Sequence, residues 1–322
     1  MVNVTAIEDL LEQKSTDIQG SGLQAELTGN VLTGILTAIS FYLLLSLLAY
    51  ECKTGPATKS TIRFFCITSS TSSFLACLSE QLELQGGKIS DNWCSAYTAL
   101  VATFYCVGTL STYTVLWLRQ RSFYTDKLLK KYSGKVLRRV SAIIIVGIYV
   151  TLIATVLTLT LSYRLKSTSA GGCILTMEVE VSSLAVTSLI GVAISYVIFQ
   201  ICLLFLLVYP LAKNSKRKVS FSSIFESVNN DIFKVIKRLV ACSAVCILSA
   251  ILAGTFTGVC ILYAPDSYWS LFVQTDLIVN TAALFFSFCN WRSRMFPFKR
   301  FKETKRPSFL IECSVEHTKT SF

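Results

Sequence analysis

Long stretches without a charged side chain constrain this sequence more than any other feature. A soluble domain carries about 25% charged residues, whereas this 322-residue chain carries 15% and is 52% hydrophobic. A helix that crosses the hydrocarbon core of a membrane needs roughly 20 mostly apolar residues. Uncharged segments of sufficient length occupy residues 27–50, 92–118, 140–163, 181–212 and 239–265. Each of them predicts a transmembrane helix.

Two further segments fit this pattern less cleanly. Residues 64–79 are short and rich in serine and threonine, so they cross a membrane only if Arg63 and Glu80 extend to the two interfaces. Residues 267–291 are uncharged apart from Asp276, which we interpret as the only acidic residue inside a membrane span. With these two segments, the sequence predicts an all-α fold, a bundle of seven transmembrane helices.

The distribution of basic residues predicts the orientation of this bundle. Of the 30 lysines and arginines, 26 fall in loops on one side of the predicted helices and 4 on the other. Basic loops remain in the cytosol, so we expect an extracellular N-terminus and a cytosolic C-terminus, as in a multi-pass protein of the plasma membrane. The predicted parts are a short extracellular N-terminus (1–26), a seven-helix domain (27–291) and a basic cytosolic tail (292–322).

The charge and the rarity of histidine exclude several classes of function. The net charge of +11 is spread over four loops rather than one patch, which argues against nucleic-acid binding and for attraction to anionic membrane lipid. The only histidine is His317, in the tail, and no C-x-x-C pair occurs. We therefore expect no enzymatic activity, no cofactor and no metal site.

Four residues stand at informative places along the predicted helices. Cys94 opens the third helix, and Cys173 lies in the loop between the fourth and the fifth. Arg119 follows Cys94 by 25 residues, and Asn280 lies in the seventh helix. With the predicted topology, these residues resemble the rhodopsin-like G-protein-coupled receptors. The resemblance implies a disulfide between Cys94 and Cys173, and it implies that Arg119 and Asn280 act in activation and in coupling to a heterotrimeric G protein.

The sequence also departs from the pattern of that family. Leu118 and Gln120 replace the acidic residue and the tyrosine on either side of the arginine, and the sixth helix lacks the usual tryptophan and proline. Because Leu118 cannot restrain Arg119 as an acid would, we expect weak restraint and appreciable basal signalling. Two alternatives remain open, namely free thiols at the two cysteines and an arginine that only marks a cytosolic helix end.

A polar interior is the next expectation. Asp276 and Asn280 are four residues apart and share a helix face, and an ionisable residue inside a membrane is a functional candidate by default. In the family, a sodium ion lies between the second, third and seventh helices near this level. We therefore expect Asp276, Asn280, Ser70 and Ser72 to form a site for an ion or water. The alternative is a protonated or hydrogen-bonded aspartate that only joins helices.

The sequence constrains the ligand mainly by what two positions exclude, namely the amine contact and the retinal attachment known in the family. Val101 stands where amine receptors of the family carry an aspartate, and Gln274 stands where opsins carry the retinal lysine. A small molecule or a peptide that enters the mouth of the bundle remains, with Val101, Phe104, Tyr105 and Gln274 as candidate pocket residues. Aromatic residues in a membrane helix also serve simply as packing.

The N-terminal segment contains one candidate modification site. The sequon Asn3-Val4-Thr5 makes Asn3 a candidate glycosylation site, although such matches also arise by chance.

The competing function is a seven-span transporter or channel subunit. We see neither inverted repeats nor paired helices broken by glycine or proline, which transporters commonly show. An intramembrane enzyme lacks paired carboxylates, a Ser–His pair or a metal cluster.

Overall fold

The architecture was obtained as a computed structural model. It describes the backbone of residues 4–54, 61–86, 90–125, 135–167, 173–177, 191, 194–206, 208, 223–263, 269–288 and 291–297. The helices are α1 (Val4–Thr54), α2 (Thr61–Gly86), α3 (Asp91–Thr125), α4 (Lys135–Ser162), α5 (Ile194–Leu206), α6 (Ser223–Tyr263), α7 (Trp269–Phe286) and α8 (Trp291–Met295). Between α4 and α5, the strands β1 (Tyr163–Ser167) and β2 (Cys173–Met177) pair antiparallel. The described chain is thus helical apart from one hairpin, which the all-α prediction did not include.

Five of these helices are long and apolar enough to cross a membrane. Their candidate spans are Leu27–Lys53, Thr61–Glu83, Asp91–Arg121, Val136–Leu157 and Lys237–Thr257. Two shorter apolar helices, Ile194–Leu206 and Ser270–Phe286, lie inside the predicted fifth and seventh spans. The chain is therefore a membrane protein, and the count of seven spans and the orientation stay predictions.

Apolar side chains on the outside of the bundle explain why these helices require lipid. On α4, Ile143, Val146 and Val150 are each at least 60% exposed, although they lie in the middle of the most hydrophobic candidate span. In water such a surface would favour aggregation, whereas in a bilayer it meets hydrocarbon. The hydrogen bonds of each helix are satisfied internally, as a membrane interior demands.

Our expectations about acidic residues in the second span need correction. The helix α2 extends to Gly86, so this span is not short. Glu80 is 5% exposed and packs inside the bundle rather than extending outward from it. Asp276 is also not the only acidic residue within a candidate span, since Glu80 and Glu83 belong to the span of α2 and Glu51 to that of α1.

The core lies on two sides of α3. One cluster joins α3 to α4, α5 and α6, and it includes Tyr113, Ile148 and Leu203. The other joins α3 to α1, α2 and α7, and it includes Leu47 and Phe285. Because α3 contributes to both clusters, residues on its different faces reach nearly every other helix.

Glycines allow the closest helix contacts. A Cβ atom at Gly147 on α4 would lie 2.7 Å from the ring of Phe199 on α5. A Cβ atom at Gly108 on α3 would lie 2.8 Å from the Leu277 side chain on α7. Both distances are too short for a real side chain, so the absence of a Cβ sets how closely these helix pairs approach.

Candidate functional site

Asp276 is buried in the bundle and is contacted from two neighbouring helices. It is 1% exposed, and its Oδ2 accepts a hydrogen bond of 2.9 Å from the Tyr105 hydroxyl on α3. Ser249 on α6 and Asn280, one turn further along α7, also approach the carboxylate. The described contacts of Asp276 therefore connect α3, α6 and α7.

The serines of α2 lie in a different part of this interior. Ser70 and Ser72 are buried, as expected. The neighbouring Ser69 forms a hydrogen bond of 2.8 Å with Thr112 on α3, whereas the described contacts of the Asp276 carboxylate come from Tyr105, Ser249 and Asn280. Ser69 thus joins α2 to α3, whereas Oγ of Ser70 has no described partner. No described hydrogen bond connects Ser70 or Ser72 to Asp276, so their part in an ion or water site stays a prediction.

Several buried polar atoms near this level have no protein partner among the described residues. They include Oδ1 of Asp276 and both side-chain polar atoms of Asn280, Gln200 and Gln274. A buried polar group without a hydrogen bond costs about 1–3 kcal/mol. Water or an ion beside such atoms would offset that cost, and the ion or water site at Asp276 and Asn280 stays a prediction.

Arg119 lies at the other end of α3 and is held against the end of α7. Its Nη1 donates a hydrogen bond of 2.6 Å to the Ser287 hydroxyl, and its guanidinium lies 3.7 Å from the centre of the Phe288 ring. The Ser287 hydroxyl in turn donates to the carbonyl of Leu284 at 2.5 Å. The described contacts therefore hold the arginine against the residues that follow α7, which its sequence context did not suggest.

Phe288 is the common contact of three arginines from different helices. Besides Arg119, Arg294 of α8 lies 3.6 Å from the centre of the ring. Arg238 of α6 donates to the Phe288 carbonyl at 3.2 Å. Residues of α3, α6 and α8 thus meet at one aromatic residue that follows α7, and we call Arg119, Ser287, Phe288, Arg294 and Arg238 the arginine cluster.

Glu51 supplies negative charge beside this cluster. Its carboxylate lies 3.3 Å from Nη1 of Arg63 and 3.8 Å from Nη1 of Arg294. Arg294, which we assigned to the cytosolic tail, is only 5% exposed and also lies 4.7 Å from the centre of the Tyr50 ring. The folded domain therefore extends beyond the predicted boundary at residue 291, because α8 packs back onto α1.

The structure describes the side chain of only one of the two cysteines in the candidate disulfide. Cys94 is buried and disulfide-bonded. Cys173 is the first residue of β2, and its side chain lies outside the described residues, so the pairing with Cys94 stays a prediction. Asn3, the candidate glycosylation site, also lies outside the described residues.

The candidate pocket residues differ in their surroundings. Val101 and Gln274 are buried, and Phe104 is half-buried. Tyr105 is engaged by Asp276, whereas Gln274 has no described partner for either amide atom. Of the four, Gln274 is thus the residue with unused hydrogen-bonding capacity.

Sequence reasoning missed Glu80, Glu83, Ser287, Phe288 and Glu51. A signal existed for the first two, because two acidic residues three apart near a span end can share one helix face. No comparable signal marks Ser287 or Phe288, since their importance depends on the helices that meet them. No known protein-family model matches the chain, and no curated protein matches it at a significant level.

Proposed function

We propose that this chain is a G-protein-coupled receptor of the plasma membrane. In this proposal seven helices cross the membrane, the N-terminus is extracellular, and an extracellular small molecule or peptide signals to a heterotrimeric G protein. The observation that carries the proposal is the contact of Arg119 with Ser287 and Phe288. The charge split of the loops and the disulfide-bonded Cys94 support it.

The arginine cluster has the properties of a switch. Arg119 on α3 and Arg238 on α6 both contact the end of α7. If α7 separates from α3, the guanidinium of Arg119 loses its serine and its aromatic face and becomes available to a cytosolic partner. A conformational change of this kind needs two states of similar free energy that a ligand shifts. One hydrogen bond and one cation–π contact are a restraint of suitable size.

The Asp276 site links this switch to the rest of the bundle. Asp276 and Asn280 lie on α7, which ends at Phe286 directly before Ser287, and Tyr105 lies on the same helix as Arg119. A change at the Tyr105–Asp276 contact can therefore alter the relative position of α3 and α7. Such a movement would reach the contact between Arg119 and Ser287, because Ser287 directly follows α7.

Basal signalling measured across all classes of G protein tests the proposal. We expect the wild type to signal above mock-transfected cells and Arg119→Ala to lose that signal at equal surface expression. Arg121→Ala is the matched control, because Arg121 is exposed two residues away on the same helix. Equal activity of wild type, Arg119→Ala and mock-transfected cells would contradict the proposal.

A transporter or channel subunit is the second candidate. The observation that favours it is the set of buried polar atoms without described partners on Gln200, Gln274 and Asn280, since such atoms can line a hydrated path. Uptake or current that depends on Asp276, in the absence of any G-protein coupling, would favour this candidate over the receptor.

A further inference from the structure

Two buried glutamates lie at the end of the bundle opposite the arginine cluster. Glu80 and Glu83 are three residues apart on α2, so their side chains share one helix face. They are only 5% and 6% exposed. Neither belongs to the Asp276 site or to the arginine cluster.

Two other helices bring hydroxyl groups to these carboxylates. Ser270, at the start of α7, lies beside Glu80, and Thr98, near the start of α3, lies beside Glu83. The two carboxylates also interact with each other. The site is therefore formed by α2, α3 and α7, at the end of α3 that carries the disulfide-bonded Cys94.

The charge of this site is not balanced by the described part of the protein. The ion pairs among the described residues both involve Glu51, which contacts Arg63 and Arg294 at the opposite end. Burying a carboxylate is costly unless a cation or several hydrogen-bond donors accompany it. Two adjacent buried carboxylates therefore favour a positive partner, which no lysine or arginine among the described side chains provides.

Unused hydrogen-bonding groups give a second, independent indication of a ligand. Gln274 lies one turn beyond Ser270 on the same face of α7, is 1% exposed, and has no described partner for its amide oxygen or nitrogen. Oε2 of Glu80 is also buried without a described partner. An amide and a carboxylate oxygen are thus available on α7 and α2, beside the hydroxyl of Thr98 on α3.

We propose that this site binds the ammonium group of an extracellular ligand. One carboxylate of the Glu80–Glu83 pair neutralises its charge and the other carboxyl group accepts or shares a proton, while Ser270, Thr98 and Gln274 bind its N–H groups or neighbouring polar atoms. An ammonium group has three N–H donors and no acceptor, which suits a site rich in acceptors. The inference rests on the proposed receptor function and specifies its ligand class.

The geometry favours an ammonium group over a metal ion. No group of three or more histidine, cysteine or acidic residues with metal-binding geometry occurs among the described residues, whereas calcium takes 6–8 oxygen ligands. The acid that amine binding requires is absent at Val101. In this site Glu83 of α2 provides the acid. It lies next to Thr98, which precedes Val101 by one turn on α3.

Labelling of a cysteine placed in the site tests its charge without knowledge of the natural ligand. Glu83→Cys in the full-length protein on intact cells is treated with two methanethiosulfonates, the cationic trimethylammonium-ethyl reagent and the anionic sulfonatoethyl reagent. The control is Glu80→Gln/Glu83→Cys, which lacks the remaining carboxylate, and wild type measures the background from native cysteines. We expect the cation-to-anion rate ratio to be about tenfold higher in Glu83→Cys than in the control.

A second arm measures competition and identifies the source of the ammonium group. Millimolar ethylammonium should slow the labelling of Glu83→Cys several-fold more than neutral acetamide does. Dipeptides with free and acetylated amino termini then show whether a peptide ammonium is accepted as well as a small amine. If Glu83→Cys does not reach the cell surface, Glu80→Cys is used in its place. Its control is then the double variant Glu80→Cys/Glu83→Gln.

Equal rate ratios in variant and control, or equal effects of ethylammonium and acetamide, would overturn the ammonium site. Absence of labelling from the extracellular side would overturn it as well. None of these measurements involves a G protein. Failure of the ammonium site is therefore distinguishable from failure of receptor function, which the Arg119→Ala experiment tests separately.

Discussion

The guanidinium of Arg119 lies 3.7 Å from the centre of the Phe288 ring, so an aromatic residue at the end of α7 restrains this arginine. The adjacent Ser287 accepts its hydrogen bond. From the sequence we expected weak restraint, because Leu118 precedes the arginine where an acid would hold it. Ser287 and Phe288 hold the arginine instead, so in the proposed receptor the level of basal signalling would depend on these two residues.

Ser287→Ala should raise basal signalling. A hydrogen bond to a charged group contributes about 1.5–3 kcal/mol, and about 1.4 kcal/mol shifts an equilibrium tenfold. We therefore expect roughly a tenfold larger active fraction, measured as ligand-independent G-protein activation at equal surface expression. Ser293→Ala, a serine substitution on the neighbouring α8, should leave the signal unchanged. An unchanged signal in Ser287→Ala would show that this hydrogen bond does not restrain activation.

Glu51→Gln should destabilise the protein. Arg294 is buried between Phe288 and Tyr50 and depends on Glu51 for negative charge. Removing one member of a largely buried ion pair leaves the other uncompensated, and we expect a loss of roughly 1–3 kcal/mol. Thermal unfolding of the detergent-purified protein measures it. Arg292→Ala, which alters an exposed arginine two residues away, should have little effect, and a melting temperature equal to wild type in Glu51→Gln would contradict the prediction.

Gly147→Ala should also lower the melting temperature. The added methyl group would lie 2.7 Å from the Phe199 ring, so α4 and α5 must move apart. Overpacking of this kind costs about 1–3 kcal/mol. Gly34→Ala is the matched control, since a Cβ there meets nothing within 4 Å, and Ala is the better helix former. Equal melting temperatures of the two variants would show that α4 and α5 do not pack this closely.

Asp276→Asn should abolish any stabilisation by sodium. If an ion binds between Asp276 and Asn280, sodium chloride raises the melting temperature of wild type more than choline chloride does at equal ionic strength. The variant keeps the shape of the side chain and removes its charge, so the difference between the two salts should disappear. Equal melting temperatures of the wild-type protein in both salts would favour an aspartate that only joins α3 and α7 through Tyr105.

Cys94→Ser and Cys173→Ser should have the same effect on surface expression, because each removes one half of the predicted bridge. Peptide mapping of the non-reduced protein should recover Cys94 and Cys173 in one cross-linked fragment. A fragment that joins Cys94 to any other cysteine would refute the pairing and would place a different segment next to the start of α3.

The membrane helices could be predicted from the sequence because hydrophobicity is a local property. Each uncharged segment is long enough to exclude water, and backbone groups in lipid must form their hydrogen bonds within the helix. Asp276 and Asn280 could also be predicted, since an acidic group in an apolar segment is conspicuous by itself. The hairpin of β1 and β2 was not predicted, because residues 163–177 carry no pattern that distinguishes paired strands from an extended loop.

The sequence by itself thus determined that this chain enters a membrane as apolar helices, with polar residues inside the helix bundle. Only the tertiary structure decided which polar groups meet. Glu80 is a surface residue or a buried one according to the face that α2 turns toward α7, and Phe288 contacts three arginines because three other helices pass beside it. Such contacts join residues far apart in the chain, so they depend on how the helices pack rather than on any local pattern.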